Sequence, residues 1–155
     1  MQIKILYLCH SSKITNMRSR DIYRFLAPHN LTYQRALEEI KHSKKETHWM
    51  WYIFPQLKGL GSSDTAILYG IQDLKEAEAY YAHPVLGPNL LEISNVLLQI
   101  RNNSATEIFG YPDDLKLHSC MTLFAQIKNV DSVFQLVLDK YFNGAPDEKT
   151  IKLLK

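Results

Sequence analysis

The chain has 155 residues, 46% apolar and 22% charged, with a net charge of +2. A chain of this length reads as one domain and buries roughly two-thirds of its unfolded surface, so it needs no disulfide or metal to close a core. Its longest apolar runs are far too short to span a bilayer, and its two cysteines, Cys9 and Cys120, have no pairing or metal-ligand spacing, which points to a reducing, cytoplasmic setting.

Charge is unevenly spread. Residues 1–60 hold ten Lys/Arg against four Asp/Glu, and residues 61–155 hold eight against twelve. A positive amino-terminal half attracts phosphates, although no run of basic residues is dense enough to indicate nucleic acid.

In chain order, the first alternating stretch is QIKILYL, the one strand-like segment. The apolar patch from Ile5 to Cys9 is too short for a signal-peptide core. Residues 1–20 are therefore expected to be a leader, disordered or the product of a mis-assigned start, with Met17 as an alternative initiator. DIYRFLA reads as a short amphipathic turn stopped by Pro28. A second helix is expected over NLTYQRALEEIKHSKK, with Asn30 as N-cap and Leu31, Tyr33, Ala36, Leu37 and Ile40 on its apolar side.

The segment THWMWYIFPQLKGLGSSD carries the densest aromatic surface in the chain. With Thr47 as N-cap, residues 48–54 can make two helical turns before Pro55, giving two aromatic faces, one of which can line a pocket. Gly59 and Gly61 then allow positive φ or close approach to a ligand, and Ser62 or Ser63 caps the helix DTAILYG. Amides at that helix start, with Lys58 beside them, suit an anion. The Gly-Lys-Ser/Thr order of a P-loop and the strand of a dinucleotide fingerprint are both missing.

Further along, Asp73 with Glu76 caps LKEAEAYYAH, which Pro84 ends. A long helix follows from Pro88 through Ile100, and Ser104 with Glu107 caps a short helix that stops at Gly110. DDLKLHSCMTLFAQIK places Leu117, Cys120, Met121, Phe124 and Ile127 on one face, with Lys116, Ser119 and Gln126, flanked by His118 and Thr122, on the other. Asp131 caps SVFQLVLDKYF, and Asp147 caps EKTIKLLK. These signals predict an all-α bundle of six to eight helices in a single domain over residues 21–155.

The candidate chemistry concentrates in two of these stretches. The ligand-binding set is Trp51, Gln56, Lys58, Gly59, Gly61 and Ser62 from the aromatic segment, with Lys116, Ser119 and Thr122 from the later helix. The two can form one site only if that helix's polar face meets the 48–62 segment. His48, titrating near neutrality, is the candidate general acid or base. No two histidines have the spacing of a metal site, and no nucleophile elbow or cofactor fingerprint is present. The leading reading is a pocket for a small phosphate-bearing ligand, a nucleotide or nucleotide sugar. The alternative is a non-catalytic protein-interaction module in which the aromatics are core.

The order HWMWYIFPQLKGLGSS, YGIQDLKEAEAYYAHPVLGPNLLEI, DDLKLHSCMTLFAQI and VLDKYFNGAPDEKTIKLL resembles the DUF1810 family from about Asp21 to the end. The resemblance implies a compact multihelical fold and assigns no activity. It also implies that residues 1–16 precede the family's usual start.

Overall fold

The computed structural model describes residues 21–155. The expected leader, the alternating QIKILYL stretch, Cys9 and Met17 lie outside the described residues. A 3-10 turn, Ile22–Phe25, leads into α1 (Leu26–Lys41), followed by α2 (Met50–Ile53), α3 (Asp64–Tyr69), α4 (Leu74–Ala82), α5 (Leu86–Gln99), α6 (Ala105–Phe109), α7 (Asp113–Ala125), α8 (Val133–Phe142) and α9 (Glu148–Leu154). Six of these helices have seven residues or more, and α2, α3 and α6 are short connectors. The fold is all-α.

Helix α7 is the hub, packing against α4, α6, α8 and α9, while α5 packs against α1, α4 and α8. Their shared core has an aromatic spine, Phe25 to Tyr80 to Phe124 to Phe134, with ring centroids 5.2, 5.5 and 5.7 Å apart. Edge-on and tilted contacts of this kind add to the apolar area each ring buries. Leu117, Cys120, Met121, Phe124 and Ile127 all face this core, as their spacing predicts.

The predicted caps of α4, α6 and α9 form. Asp73 accepts from the Glu76 amide, Ser104 from the Glu107 amide and Asp147 from the Thr150 amide. Pro28 does not stop a helix; it is the third residue of α1, where amides have no partner within the helix and a missing N–H leaves no bond unmade. Asn30 is accordingly an exposed α1 residue rather than an N-cap, and Leu31 is 86% exposed, off the apolar face that Tyr33, Ala36, Leu37 and Ile40 bury. Helix α5 likewise starts two residues before Pro88. Its Gly87 is irreplaceable on steric grounds, since a Cβ there would lie 1.9 Å from the Tyr81 carbonyl oxygen.

The extended backbone pairing among the described residues is one isolated parallel bridge between Leu57 and Ile71. Lys58 N–H donates to the Ile71 carbonyl (2.8 Å) and Ile71 N–H to the Gln56 carbonyl (2.9 Å). This bridge closes the glycine-containing loop and its helix α3 into a fixed flap beside α2. No helix among the described residues is long and apolar enough to cross a membrane.

Candidate functional site

The aromatic run makes one helical turn, not two. Trp49 takes the N-cap position of α2, at φ −142° and ψ 3°, and Thr47 does not cap the helix. Glu39 is the cause. Its carboxylate accepts from the Glu46 amide (2.8 Å), the Thr47 amide (3.2 Å), the Thr47 hydroxyl (2.6 Å) and Trp49 Nε1–H (2.8 Å). Burial pushes the Glu39 carboxyl up, but these hydrogen bonds to its charged form outweigh burial and hold it below the usual range. Residues 46–49 are thereby wrapped around one carboxylate, and Trp49 is fully buried.

The two tryptophans therefore have different roles. Trp49 packs against Phe54 and Phe109 in the core. Trp51, two residues on, is only half-buried, and Lys116 Nζ stands 4.7 Å from its ring centroid. A cation over an indole face at this distance is a favourable contact, and it joins the aromatic segment to α7.

Lys116 is also held from behind. Asp113, one turn earlier on α7, meets Lys116 Nζ through Oδ1 at 3.0 Å and Lys45 Nζ through Oδ2 at 2.8 Å. Lys45 is the more enclosed lysine, its side chain 7% exposed against 21% for Lys116. It donates to the Thr47 carbonyl (2.7 Å) and lies 5.0 Å from the Trp49 ring centroid. Burial raises the Asp113 carboxyl, and its bonds to the two lysines more than reverse that, leaving it below the usual range.

The far side of α7 is closed by the segment entering α9. Thr122 hydroxyl accepts from the Asp147 amide (2.8 Å) and donates to the His118 carbonyl (2.8 Å). His118 Nε2 lies 2.7 Å from the Ala145 carbonyl, and its ring stacks on Phe142 at 4.2 Å. Asp147 Oδ2 accepts from the Thr150 hydroxyl (2.6 Å) and lies 3.2 Å from Ser119 Oγ. The polar face of α7 is thus covered rather than solvated, with Ser119 and Thr122 both buried.

These pieces surround a cleft of about 550 Å³. Trp51, Gln56, Leu60, Gly61, Ser62, Ser63 and Ala66 form one wall; Pro112, Leu115, Lys116 and Ser119 form the second; Asp147 and Lys149 close the end. The condition set by the sequence is met, because the 51–63 segment and the polar face of α7 meet. Trp51, Gln56, Gly61, Ser62, Lys116 and Ser119 all line the cleft.

Four expected residues stand elsewhere. Lys58 and Gly59 are exposed, on the outer side of the loop, with Gly59 in the left-handed region at φ 101° and facing Leu153. Thr122 is fully buried beneath the cleft, as an anchor for Asp147. His48 is exposed and away from the lining; its carbonyl accepts from Tyr52 hydroxyl (2.9 Å), because the turn at Trp49 separates it from Trp51. Gly61 does not have positive φ; it is needed for close approach, since a Cβ there would lie 2.8 Å from Ala66 Cβ. The start of α3 is capped internally, Ser63 Oγ accepting from the Ala66 amide (3.1 Å), and Asp64 adds a negative charge to its first turn. One amide of that helix start is therefore already engaged, and Asp64 disfavours an anion beside it.

Sequence reasoning did not assign a site role to Asp113, Leu115, Asp147 or Lys149. The i,i+3 spacing of Asp113 and Lys116 was a readable signal for the ion pair; the contributions of Asp147 and Lys149 depend on how α9 docks. A second concavity of about 660 Å³, near Arg35, His42 and Lys44, has mixed charge and no aromatic wall, and its buried carboxylate, Glu39, is already fully engaged. Cys120 is enclosed in the core, where burial pushes its thiol up and keeps it protonated. Among the described residues no three His, Cys, Asp or Glu side chains gather as a metal-ligand group.

Comparison with known proteins locates this arrangement in a family. No curated protein matches the chain. The crystal structure of the conserved hypothetical protein Rv1873 from Mycobacterium tuberculosis is similar, with a TM-score of 0.84 and 46% identity over 86% of this chain and 96% of that one. Residues 19–154 match the family model described as "Protein of unknown function (DUF1810)". The chain belongs to the DUF1810 family.

Proposed function

We propose that the cleft between α2, α3 and α7 binds a small phosphate-bearing ligand with a flat ring, of the nucleotide or nucleotide-sugar class. The observation that carries this reading is the pairing of a half-exposed indole, Trp51, with a lysine, Lys116, on the wall of one cleft. A buried indole would serve packing alone, and a lysine without an aromatic neighbour would be an ordinary surface charge. Together they offer a ring-stacking surface and an anion partner within one ligand's reach. Gln56, Ser62, Ser63 and Ser119 supply neutral hydrogen bonds, Leu60, Ala66 and Leu115 supply apolar wall, and Lys149 adds a second positive charge. A few placed polar groups on apolar walls, in a volume of this order, are what small-molecule sites combine.

The residues support binding more directly than turnover. His48 is outside the lining, and Ser119 Oγ lies near the Leu115 carbonyl as well as Asp147, so neither is placed as an activated nucleophile or base. The test is a thermal-shift panel of adenosine monophosphate, uridine diphosphate glucose and inorganic phosphate. A ligand that binds only the folded protein adds about 2.7 kcal/mol at a hundred times its dissociation constant, a readable rise in melting temperature. Loss of that rise in Trp51→Ala, with the fold retained, is the expected companion result. A panel with no shift removes this reading and leaves the protein-interaction module, for which the exposed Ile67, Leu68, Leu115 and Leu153 would be the surface to probe.

A further inference from the structure

We propose that Asp113 is a built-in competitor for the ligand's anionic group, and that it makes the cleft selective for a terminal phosphate over a phosphodiester or a carboxylate. This inference rests on the reading of the cleft as an anion site and narrows its ligands to phosphate monoesters, which sets nucleotides above nucleotide sugars.

The geometry is a chain of three charges with the cleft at one end. Lys45 and Lys116 share the Asp113 carboxylate, one oxygen each, and Lys116 alone of the two lysines reaches the cleft lining. Asp113 offsets part of the charge on Lys116, the two lysines and one carboxylate leaving one net positive charge. A ligand anion must share Lys116 with that carboxylate or draw it away. Asp113 is not left as an uncompensated charge when this happens, because Lys45 remains 2.8 Å away. Lys45 is in turn fixed by the Thr47 carbonyl and the Trp49 ring, both part of the segment that Glu39 holds in place.

Charge then decides which ligands succeed. A carboxylate or a phosphodiester carries a single negative charge, no more than Asp113 itself, and so gains little in competing with it for Lys116. A phosphate monoester approaches two negative charges at neutral pH and presents three oxygens, so it outcompetes the internal carboxylate. Lys149, which also lines the cleft, can meet the second charge. The arrangement differs from a passive salt bridge in having a spare lysine, and this makes release of Lys116 inexpensive.

Two substitutions outside the cleft lining should act in opposite directions. Asp113→Asn keeps the shape, removes the competing charge, and should tighten binding of adenosine monophosphate about three- to tenfold. Lys45→Gln leaves Asp113 with Lys116 as its one lysine and should weaken the same binding by a similar factor. Both are read by calorimetric titration at low salt, alongside circular dichroism and melting. In the wild-type protein, adenosine monophosphate should bind at least about tenfold more tightly than cyclic adenosine monophosphate, which has the same base and one fewer charge. This comparison needs no variant, so equal affinities would overturn the proposal even if either substitution prevents folding. Equal affinity for the two nucleotides, or weaker binding in a folded Asp113→Asn protein, overturns the proposal while leaving the cleft as a binding site. Failure of the wild-type protein to bind either nucleotide or inorganic phosphate overturns both this inference and the reading on which it rests.

Discussion

At the scale of single residues, two buried polar groups do structural work, one of them holding the segment that enters the site. Glu39 fixes the chain from Glu46 to Trp49, which is why the aromatic segment enters α2 with Trp49 inward and Trp51 at the cleft. Trp49→Ala should destabilise the protein by about 3–5 kcal/mol in chemical denaturation, whereas Trp51→Ala, which loses only a half-buried ring, should cost about 1 kcal/mol. Similar losses for both would contradict the division of roles.

His29 is the second such group. It is buried between α1 and α5, with Nδ1 3.0 Å from the Tyr52 carbonyl and Nε2 3.0 Å from Asn89 Nδ2. That pairing requires the neutral tautomer with Nδ1–H donating and Nε2 accepting. Burial lowers its pKa, partly opposed by the hydrogen bond to Tyr52 and assisted by His83. The unfolded chain therefore binds a proton that the folded chain resists. The stability is fully present above the ordinary histidine value of about 6.5 and lost as the pH falls below it. Unfolding free energy should be level from pH 8 to 7 and decline between pH 6.5 and 5, and His29→Gln should flatten that decline. A decline unchanged by the substitution would assign it to another group.

At the scale of elements, the short pieces matter more than the long ones. Helix α3 and the Gly59–Ser63 loop are held against α2 by the Leu57–Ile71 bridge, and the loop passes so close to Ala66 that a Cβ on Gly61 would lie 2.8 Å from the Ala66 Cβ. Gly61→Val forces its side chain into Ala66, so it should lower stability by about 1–3 kcal/mol and displace the cleft wall. An unperturbed melting temperature and unchanged binding would show that the loop is an ordinary connector. Lys140 plays a comparable part at the end of α5, where its ammonium reaches the Leu97 carbonyl (2.7 Å) and the Ile100 carbonyl (2.5 Å). Lys140→Met should fray that end, at about 1–3 kcal/mol.

The elements also show what was legible beforehand. Asp73, Ser104 and Asp147 cap their helices because a local hydrogen bond, donated by the amide three residues on and accepted by the side chain, is encoded by a few adjacent residues. Pro28 and Pro88 were misleading because a proline's effect depends on whether its amide was needed, and that depends on where the helix begins. The one-turn form of α2 was not readable, since Glu39, ten residues before Trp49, imposes it through space. Six of the nine proposed ligand-binding residues line the cleft: Lys116 and Ser119 lie on a helix face that periodicity identifies, and Trp51, Gln56, Gly61 and Ser62 come from one aromatic and glycine-rich stretch of chain; Thr122, Lys58 and Gly59 do not, because depth and outward turn are tertiary properties.

At the scale of the whole molecule, the chain is an α-helical scaffold in which α7 serves both core and cleft, one face buried against α4 and α8 and the other closed by α2, α3 and α9. This double use explains how a polar face on a central helix becomes a recess rather than a solvated surface. The central claim, that a phosphate-bearing ring compound occupies the recess, has an internal control, because the protein has two tryptophans, one on each side of the question. The most direct measurement is a nuclear magnetic resonance titration of the nitrogen-15-labelled protein with adenosine monophosphate. The Trp51 indole signal and the amides of Gly61, Ser62, Lys116 and Ser119 should shift together with one saturation curve while the Trp49 indole stays in place. Shifts confined to other surfaces, or no saturable shift of the Trp51 indole, would contradict that claim.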